Sequence, residues 1–242
     1  MHDVHFARSV STWQAGSRCS GPATSMTRFD SGSFVMKLFI ATPSPFARKA
    51  RVTLLEKQIP HEIVVDNPWQ PSSQVKGLNP LAKIPTLVLD DGRVIHDSKV
   101  IFEYLELERP GHLPQDKHEK MIHRLVEVVA DGICDAVVMT FLENQRPEGS
   151  RSQFWLSRQA DKIWAGVHEL ERKILPSGTF SSLDFGLAEI ATVCALGYLD
   201  LRYADYGWRS DAPSLVKLFD GLMQRASFQQ TVPMAQEVPA NR

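Results

Sequence analysis

The sequence predicts a small mixed α/β domain followed by an all-α domain, and three features point to this. A strand-helix-strand pattern spans 37–65, an Asp91-Gly92 hairpin signal follows it, and the apolar residues beyond 116 recur at helical spacing. Between the halves, the run from Arg109-Pro110-Gly111 to Pro114 breaks both patterns and reads as a linker over 109–115. The two domains are therefore expected at 36–108 and 116–230.

Each element has a local reason. Residues 37–41 are a short, mainly aliphatic run, as in a buried strand. Pro45 suits the first turn of a helix and leaves Ser44 at its N-cap. Ala47, Ala50 and Leu54 give that helix one apolar face, and it should end near Lys57-Gln58. Residues 62–65 form the second strand, so the unit should be parallel with a right-handed crossover. A loop with Pro68, Trp69 and Pro71 follows. Pro85 stands where an aliphatic strand begins after a polar loop, where proline fixes chain shape or exposes the preceding residue's backbone groups. Residues 86–89 and 94–96 flank the hairpin turn. Asp97-Ser98 then opens a helix to 107, bringing a carboxylate, a hydroxyl and free amides together.

The second half holds long amphipathic helices at 117–144 and 152–174, then a loop at 176–185. Residues 186–204 are apolar nearly all round, as in a buried central helix. A last helix is expected at 213–225 and a loose tail over 231–242. Residues 1–35 are rich in Ser, Thr, Gly and Arg and lack periodicity, so they are expected to form a disordered extension outside the folded unit. They contain no apolar secretory core and little of the amphipathic pattern of a transit peptide.

Composition narrows the function. The 242 residues are 43% hydrophobic and 23% charged, ordinary for a globular chain, and the net charge of -1 gives no electrostatic reason to expect nucleic acid or an anionic membrane. No apolar run approaches the ~18 residues of a membrane span. Cys19, Cys134 and Cys194 show neither metal-ligand nor C-x-x-C spacing, which fits a reducing, cytoplasmic setting rather than a disulfide scaffold. Cys134 and Cys194 fall among aliphatic residues and belong in the core. His61, His96, His112, His118, His123 and His168 form no ligand pattern with carboxylates, so no metal is expected.

The order K-L-F-I-A-T-P-S-P-F-A-R-K-A-R (37–51), N-P-L-A-K-I-P-T-L (79–87), then D-S with I-x-x-Y-L (97–105) resembles the glutathione S-transferase family. The resemblance covers 36 to about 230 and points to small bacterial glutathione-transferase-like proteins with S-P-F after the first strand. A-D-G-I-C-D-A (130–136) and L-G-Y-L-D-L-R (196–202) also look like that group. Order and spacing carry the resemblance, since S-P-F alone is weak. It implies a thioredoxin-like first domain, glutathione as co-substrate, a homodimer, and attack of the glutathione thiolate on a small, largely apolar electrophile, chemistry of the detoxifying kind. One departure stands out. The family usually shows Ser or Thr at the cap of the central helix and Asp three residues on, whereas this chain has Gly186 and Glu189. Glycine is an acceptable cap, and Glu still reaches the cap amide.

Carried onto this chain, the resemblance makes Ser44 the catalytic residue, with Phe46 beside it. Ile84, before a cis Pro85, offers its N–H and C=O to the cysteinyl part. Asp97 pairs with the γ-glutamyl ammonium, Ser98 and its N–H take the γ-glutamyl carboxylate at a helix start, and Lys83 takes the glycyl carboxylate. Each has an ordinary alternative: Ser44 and Asp97-Ser98 as caps, Pro85 as a fold requirement, Lys83 as a solvated loop lysine. The energetics suit the chemical role. Lowering a thiol pKa of about 8.5 by ~2 units takes roughly 2.7 kcal/mol. One hydroxyl bond to an anion supplies about 1.5–3 kcal/mol, and a helix N-terminus adds about 0.3–1 kcal/mol.

Thr42 is the competing hydroxyl, but Ser44 meets the helix end. Relatives with cysteine at this place form mixed disulfides. Serine cannot, which favours transfer or isomerisation over thiol reduction. The alternatives are a non-catalytic binding or assembly protein on this fold, or a glutathione-dependent isomerase or peroxidase. Trp69, Met139, Phe141, Arg146 and Trp155 fall near where an electrophile would sit, though such residues are more often core. A chain starting at Met36 should melt within about 2 °C of the full chain, under ~1 kcal/mol. A larger loss in a thermal denaturation scan would put residues 1–35 inside the folded unit.

Overall fold

The structure, a computed structural model, describes residues 35–236. The expected N-terminal extension and Cys19 lie outside the described residues. Strand β1 (Met36–Ile40), helix α1 (Pro45–Glu56) and strand β2 (His61–Val65) form the anticipated parallel unit, with Met36 opposite His61 and Ile40 opposite Val65. Strands β3 (Thr86–Val88) and β4 (Val94–His96) form the hairpin, and β3 runs antiparallel to β1. The sheet order is β2-β1-β3-β4. Gly92 supplies the turn with φ +84, a left-handed conformation that glycine adopts at little cost, and its N–H donates to Leu89 O at 3.0 Å. The Ile84–Pro85 peptide is cis.

The loop after β2 contains a helix that local spacing does not reveal. Helix α2 (Val75–Leu78) begins where the Asp66 carboxylate accepts from the Ser73 hydroxyl at 3.0 Å and the Val75 N–H at 2.9 Å. The stabilising acid is nine residues upstream of Val75. Helix α3 (Ser98–Glu108) closes the sheet half. Leu38, Ile40 and Leu87 pack on Ala47, Ala50 and Leu54 of α1 and on Ile101 and Leu105 of α3. Glu106 then pins the connection to the helices. Its carboxylate accepts from the N–H groups of Gly111, His112 and Leu113 and from Lys57. Burial opposes its charge, but Lys57 and the backbone donors outweigh that and hold its carboxyl below the usual range.

The helical half comprises α4 (Lys117–Asn144), α5 (Gln153–Lys173), α6 (Leu187–Arg202), α7 (Trp208–Asp211), α8 (Pro213–Leu222) and α9 (Ala226–Gln229). The last helix expected from the sequence is α8, which ends at Leu222, and the short α9 lies beyond the expected end. Asp116 and Ser152 cap α4 and α5 through backbone N–H groups. Helix α6 is buried from Leu187 to Leu199, as its unbroken apolar run requires. Cys134 and Cys194 sit in this core as free thiols, and burial pushes the Cys194 thiol up to about 11. No helix among the described residues is long and apolar enough to cross a membrane.

The start of α6 explains the Gly186-Glu189 departure. Glu189 accepts from the N–H of Gly186 at 2.9 Å, as the sequence anticipates, and from Phe180 N–H at 3.1 Å. A second acceptor comes from α4: Ala188 N–H donates to His123 Nδ1 at 3.3 Å. That bond leaves Nε2 as the protonated nitrogen, donating to Ser181 Oγ at 2.8 Å. A Cβ on Gly186 would lie 2.6 Å from His112 O and 3.0 Å from His123 Cε1. The imidazole takes the place of the missing capping hydroxyl, and glycine leaves room for it.

His123 is fully buried, and burial holds its imidazole down at about 4. Between pH 4 and 6.5 the unfolded chain binds a proton here that the native chain does not. This contribution is therefore intact above the unfolded pKa and falls away as pH drops, by about 3 kcal/mol in all. His123→Gln, which retains an acceptor but does not titrate, should flatten the loss of stability between pH 6.5 and 4 in urea titrations. Parallel pH curves for the two proteins would remove His123 as the cause.

Candidate functional site

Two adjoining cavities lie where the sheet half meets α4. The smaller, of about 240 Å³, is lined by Lys83, Ile84, Pro85, Asp97 and Ser98, with Asp131 of α4 on its far wall. The larger, of about 520 Å³, has Ser44 and Trp69 on one side and Met139, Phe141 and Leu142 on the other. Phe46, Leu81, Lys83, Ile84 and Asp135 border both, so the two form one cleft.

The sequence-predicted residues converge here, each placed by its element. Ser44 is the N-cap of α1, and its Oγ accepts from Ala47 N–H at 3.2 Å. The hydroxyl proton is not used by that bond and can be donated. Thr42 differs, because its hydroxyl donates to Met234 O at 3.1 Å in the C-terminal segment. Asp97 caps α3, accepting from Lys99 N–H at 2.8 Å, and holds φ 72 and ψ 128. A non-glycine residue there carries about 1–3 kcal/mol of strain, a cost found most often at binding and catalytic positions. Asn79 braces the opposite rim: its amide donates to Lys83 O at 2.8 Å.

Several site residues escape sequence reasoning. His96, Lys99, Asp131 and Asp135 line the smaller cavity. Asp131 and Asp135 are one helical turn apart in A-D-G-I-C-D-A, and that i, i+4 spacing is the signal that would have found them. The Asp135 carboxyl is raised above its ordinary value, by desolvation first and by Asp97 as well, against Lys83 and Lys99. Of the residues considered for the second substrate, Trp69, Met139 and Phe141 lie on the larger cavity's wall. Arg146 instead pairs with Glu143 at 3.5 Å, and Lys162 lies over the Trp155 ring.

Chemically, the small cavity offers a lysine, carboxylates and the amino end of a helix, a set that matches a peptide with an ammonium and two carboxylates. The larger offers a mainly apolar chamber with the Ser44 side chain on its wall. The glutathione S-transferase N-terminal domain model matches residues 43–108 and the C-terminal domain model matches 153–221. An uncharacterized GST-like protein of Escherichia coli (strain K12), YibF, is 40% identical over 200 residues, 82% of this chain and 98% of that protein. A glutathione S-transferase of Methylobacterium radiotolerans, crystallised in complex with glutathione sulfonate, is 41% identical, with TM-score 0.83, covering 86% of this chain and 99% of that one. A glutathione transferase family member from Pseudomonas fluorescens Pf-5, with bound S-(propanoic acid)-glutathione, is 33% identical, with TM-score 0.73, covering 82% and 100%. Sequence motifs, cleft and relatives lead to one assignment: the chain belongs to the glutathione S-transferase family.

Proposed function

We propose that the protein is a cytoplasmic glutathione transferase that activates glutathione as a thiolate for attack on a small electrophile. The observation that carries this is Ser44 at the amino end of α1, on the wall of the larger cavity, which shares Phe46 and Ile84 with the smaller one. Glutathione would lie along the smaller cavity, with Asp97 and Ser98 at its γ-glutamyl end, Ile84 beside its cysteinyl backbone and Lys83 at its glycyl carboxylate. Its sulfur would meet the Ser44 proton, while Phe46 and Ile84 border the passage to the electrophile. The Pseudomonas relative supports accommodation of an S-substituted product, since its ligand is a glutathione alkylated at sulfur. Engagement of Thr42 with Met234 supports Ser44 as the donor.

Ser44→Ala should still bind glutathione, but the pKa of the bound thiol should rise by about 1–2 units and turnover at neutral pH should fall by about 10- to 100-fold, the worth of one hydroxyl bond to an anion. Thiolate absorbance against pH and kcat against pH measure this. Unchanged absorbance and turnover would remove Ser44 from the mechanism.

The protein is also proposed to act as a homodimer. Met121, Leu125 and Val128 form a stripe on α4 with exposures of 59%, 48% and 56%, and Val100 of the adjacent α3 is 53% exposed. Four partly bared apolar side chains on two neighbouring helices suit a self-complementary contact. Light scattering should give a mass twice the 27.2 kDa protomer, and Leu125→Asp with Val128→Asp should give the protomer mass. A monomeric parent protein would refute the dimer.

A further inference from the structure

The apolar chamber has a charged end that the thiolate chemistry does not use. Arg202, in the last turn of α6, lies on its wall beside Tyr198 and Phe141. Its guanidinium carbon is 3.8 Å from the Phe141 ring centroid and 5.4 Å from that of Tyr198, and its Nε donates to Tyr198 Oη at 3.3 Å. A cation in the last turn also complements the helix dipole, but that alone does not require it to sit over a cavity-wall aromatic. Two other arginines of the helical half, Arg209 and Arg225, are ion-paired with Asp200 and Glu56. Arg202, among the described residues, has no carboxylate within ion-pair distance. Even Asp200, two positions earlier, is taken by Trp208 and Arg209.

Tyr198 strengthens the case. Its oxygen accepts from Arg202, and among the described residues no acceptor takes its proton. Burial foremost raises this phenol, with Arg202 opposing, so at neutral pH it remains a donor. An arginine fork next to a phenol O–H matches the acceptor geometry of a carboxylate. Asp135, the carboxylate on the chamber's wall, belongs to the end shared with the smaller cavity. It lies six residues before Phe141 on α4, about 9 Å along the helix axis.

We infer that Tyr198 and Arg202 form a carboxylate-recognition site in the electrophile chamber, so the preferred second substrate has an apolar body and a terminal carboxylate. This rests on the glutathione-transferase reading of the same cleft. The test compares S-(4-carboxybenzyl)glutathione with S-(4-carbamoylbenzyl)glutathione, its neutral near-isostere, with S-methylglutathione as reference. Calorimetry is run on the parent protein, Arg202→Leu, Arg202→Lys and Tyr198→Phe. The parent should bind the acid at least about 10-fold more tightly than the amide. Arg202→Leu should weaken the acid about 10- to 100-fold and leave the amide within about 2-fold, as expected for charge-assisted bonds. Arg202→Lys should retain part of the preference, and Tyr198→Phe should lose a smaller part.

Equal affinities in the parent protein, or equal weakening of acid and amide by Arg202→Leu, would overturn the site while leaving glutathione binding intact. No binding of S-methylglutathione by the parent would overturn the glutathione reading and this site with it. The parent's acid-to-amide ratio decides the matter without any variant, should Arg202→Leu fail to fold.

Discussion

The cleft exists because α1 is held between the sheet and the helices by two adjacent buried cations, Arg48 and Lys49. Lys49 Nζ lies 2.8 Å from Glu127 and 3.0 Å from Asp131, with all three residues buried. Burial disfavours the Lys49 charge, but Asp131 and Glu127 outweigh it and raise its pKa. Arg124 and Lys99 extend the cluster to the outer sides of Glu127 and Asp131. A buried pair gains little over an apolar replacement, but losing one partner costs about 3–5 kcal/mol, so the cluster fixes register more than it adds stability. That register matters because Asp131 also lines the smaller cavity. The contact that docks α1 on α4 therefore also shapes the wall against which the peptide would lie.

Arg48 performs a parallel task on the other side. Its guanidinium donates to Phe228 O at 3.3 Å and lies over the Phe228 ring, tying α1 to the C-terminal helices. Space for it comes from Gly197 of α6, where a Cβ would lie 2.4 Å from an Arg48 nitrogen. Two sequence segments separated by about 150 residues thus share one requirement: R-K in the first helix needs L-G-Y in the central one.

What was legible in the sequence is what local chemistry dictates. Pro45 after Ser44, the Asp91-Gly92 turn, the helical spacing of α4 and α5, and the reach of Glu189 back to Gly186 each concern residues a few positions apart. The features that stayed hidden depend on distant partners. Helix α2 needs Asp66, the cap of α6 needs His123 from α4, and the Thr42 hydroxyl is occupied only because Met234 returns to it. Asp131 and Asp135 could be placed on one helix face from spacing, but not on the cavity side, since that depends on how α4 docks against α1. Arg146 and Trp155 show the converse: coarse proximity suggested a pocket role, and partners close in sequence, Glu143 and Lys162, engage them instead.

In the proposed mechanism the two roles of Ser44, helix cap and thiolate donor, are parts of one arrangement. The Ala47 N–H occupies a lone pair on Ser44 Oγ, which fixes the side chain at the helix start and leaves its single proton as the group able to turn outward. A hydroxyl already accepting a bond is a stronger donor, because hydrogen bonds in a chain polarise one another. The amino end of α1 adds its positive field at the same point. Cysteine at this position would offer a competing sulfur and a different reaction, whereas serine can stabilise an anion but cannot become a partner in a disulfide. In the proposed mechanism, specificity for transfer arises from this limitation: the serine lowers the cost of ionising the peptide thiol, and the resulting nucleophile would react in the chamber that Ser44 shares with Trp69, Met139 and Phe141.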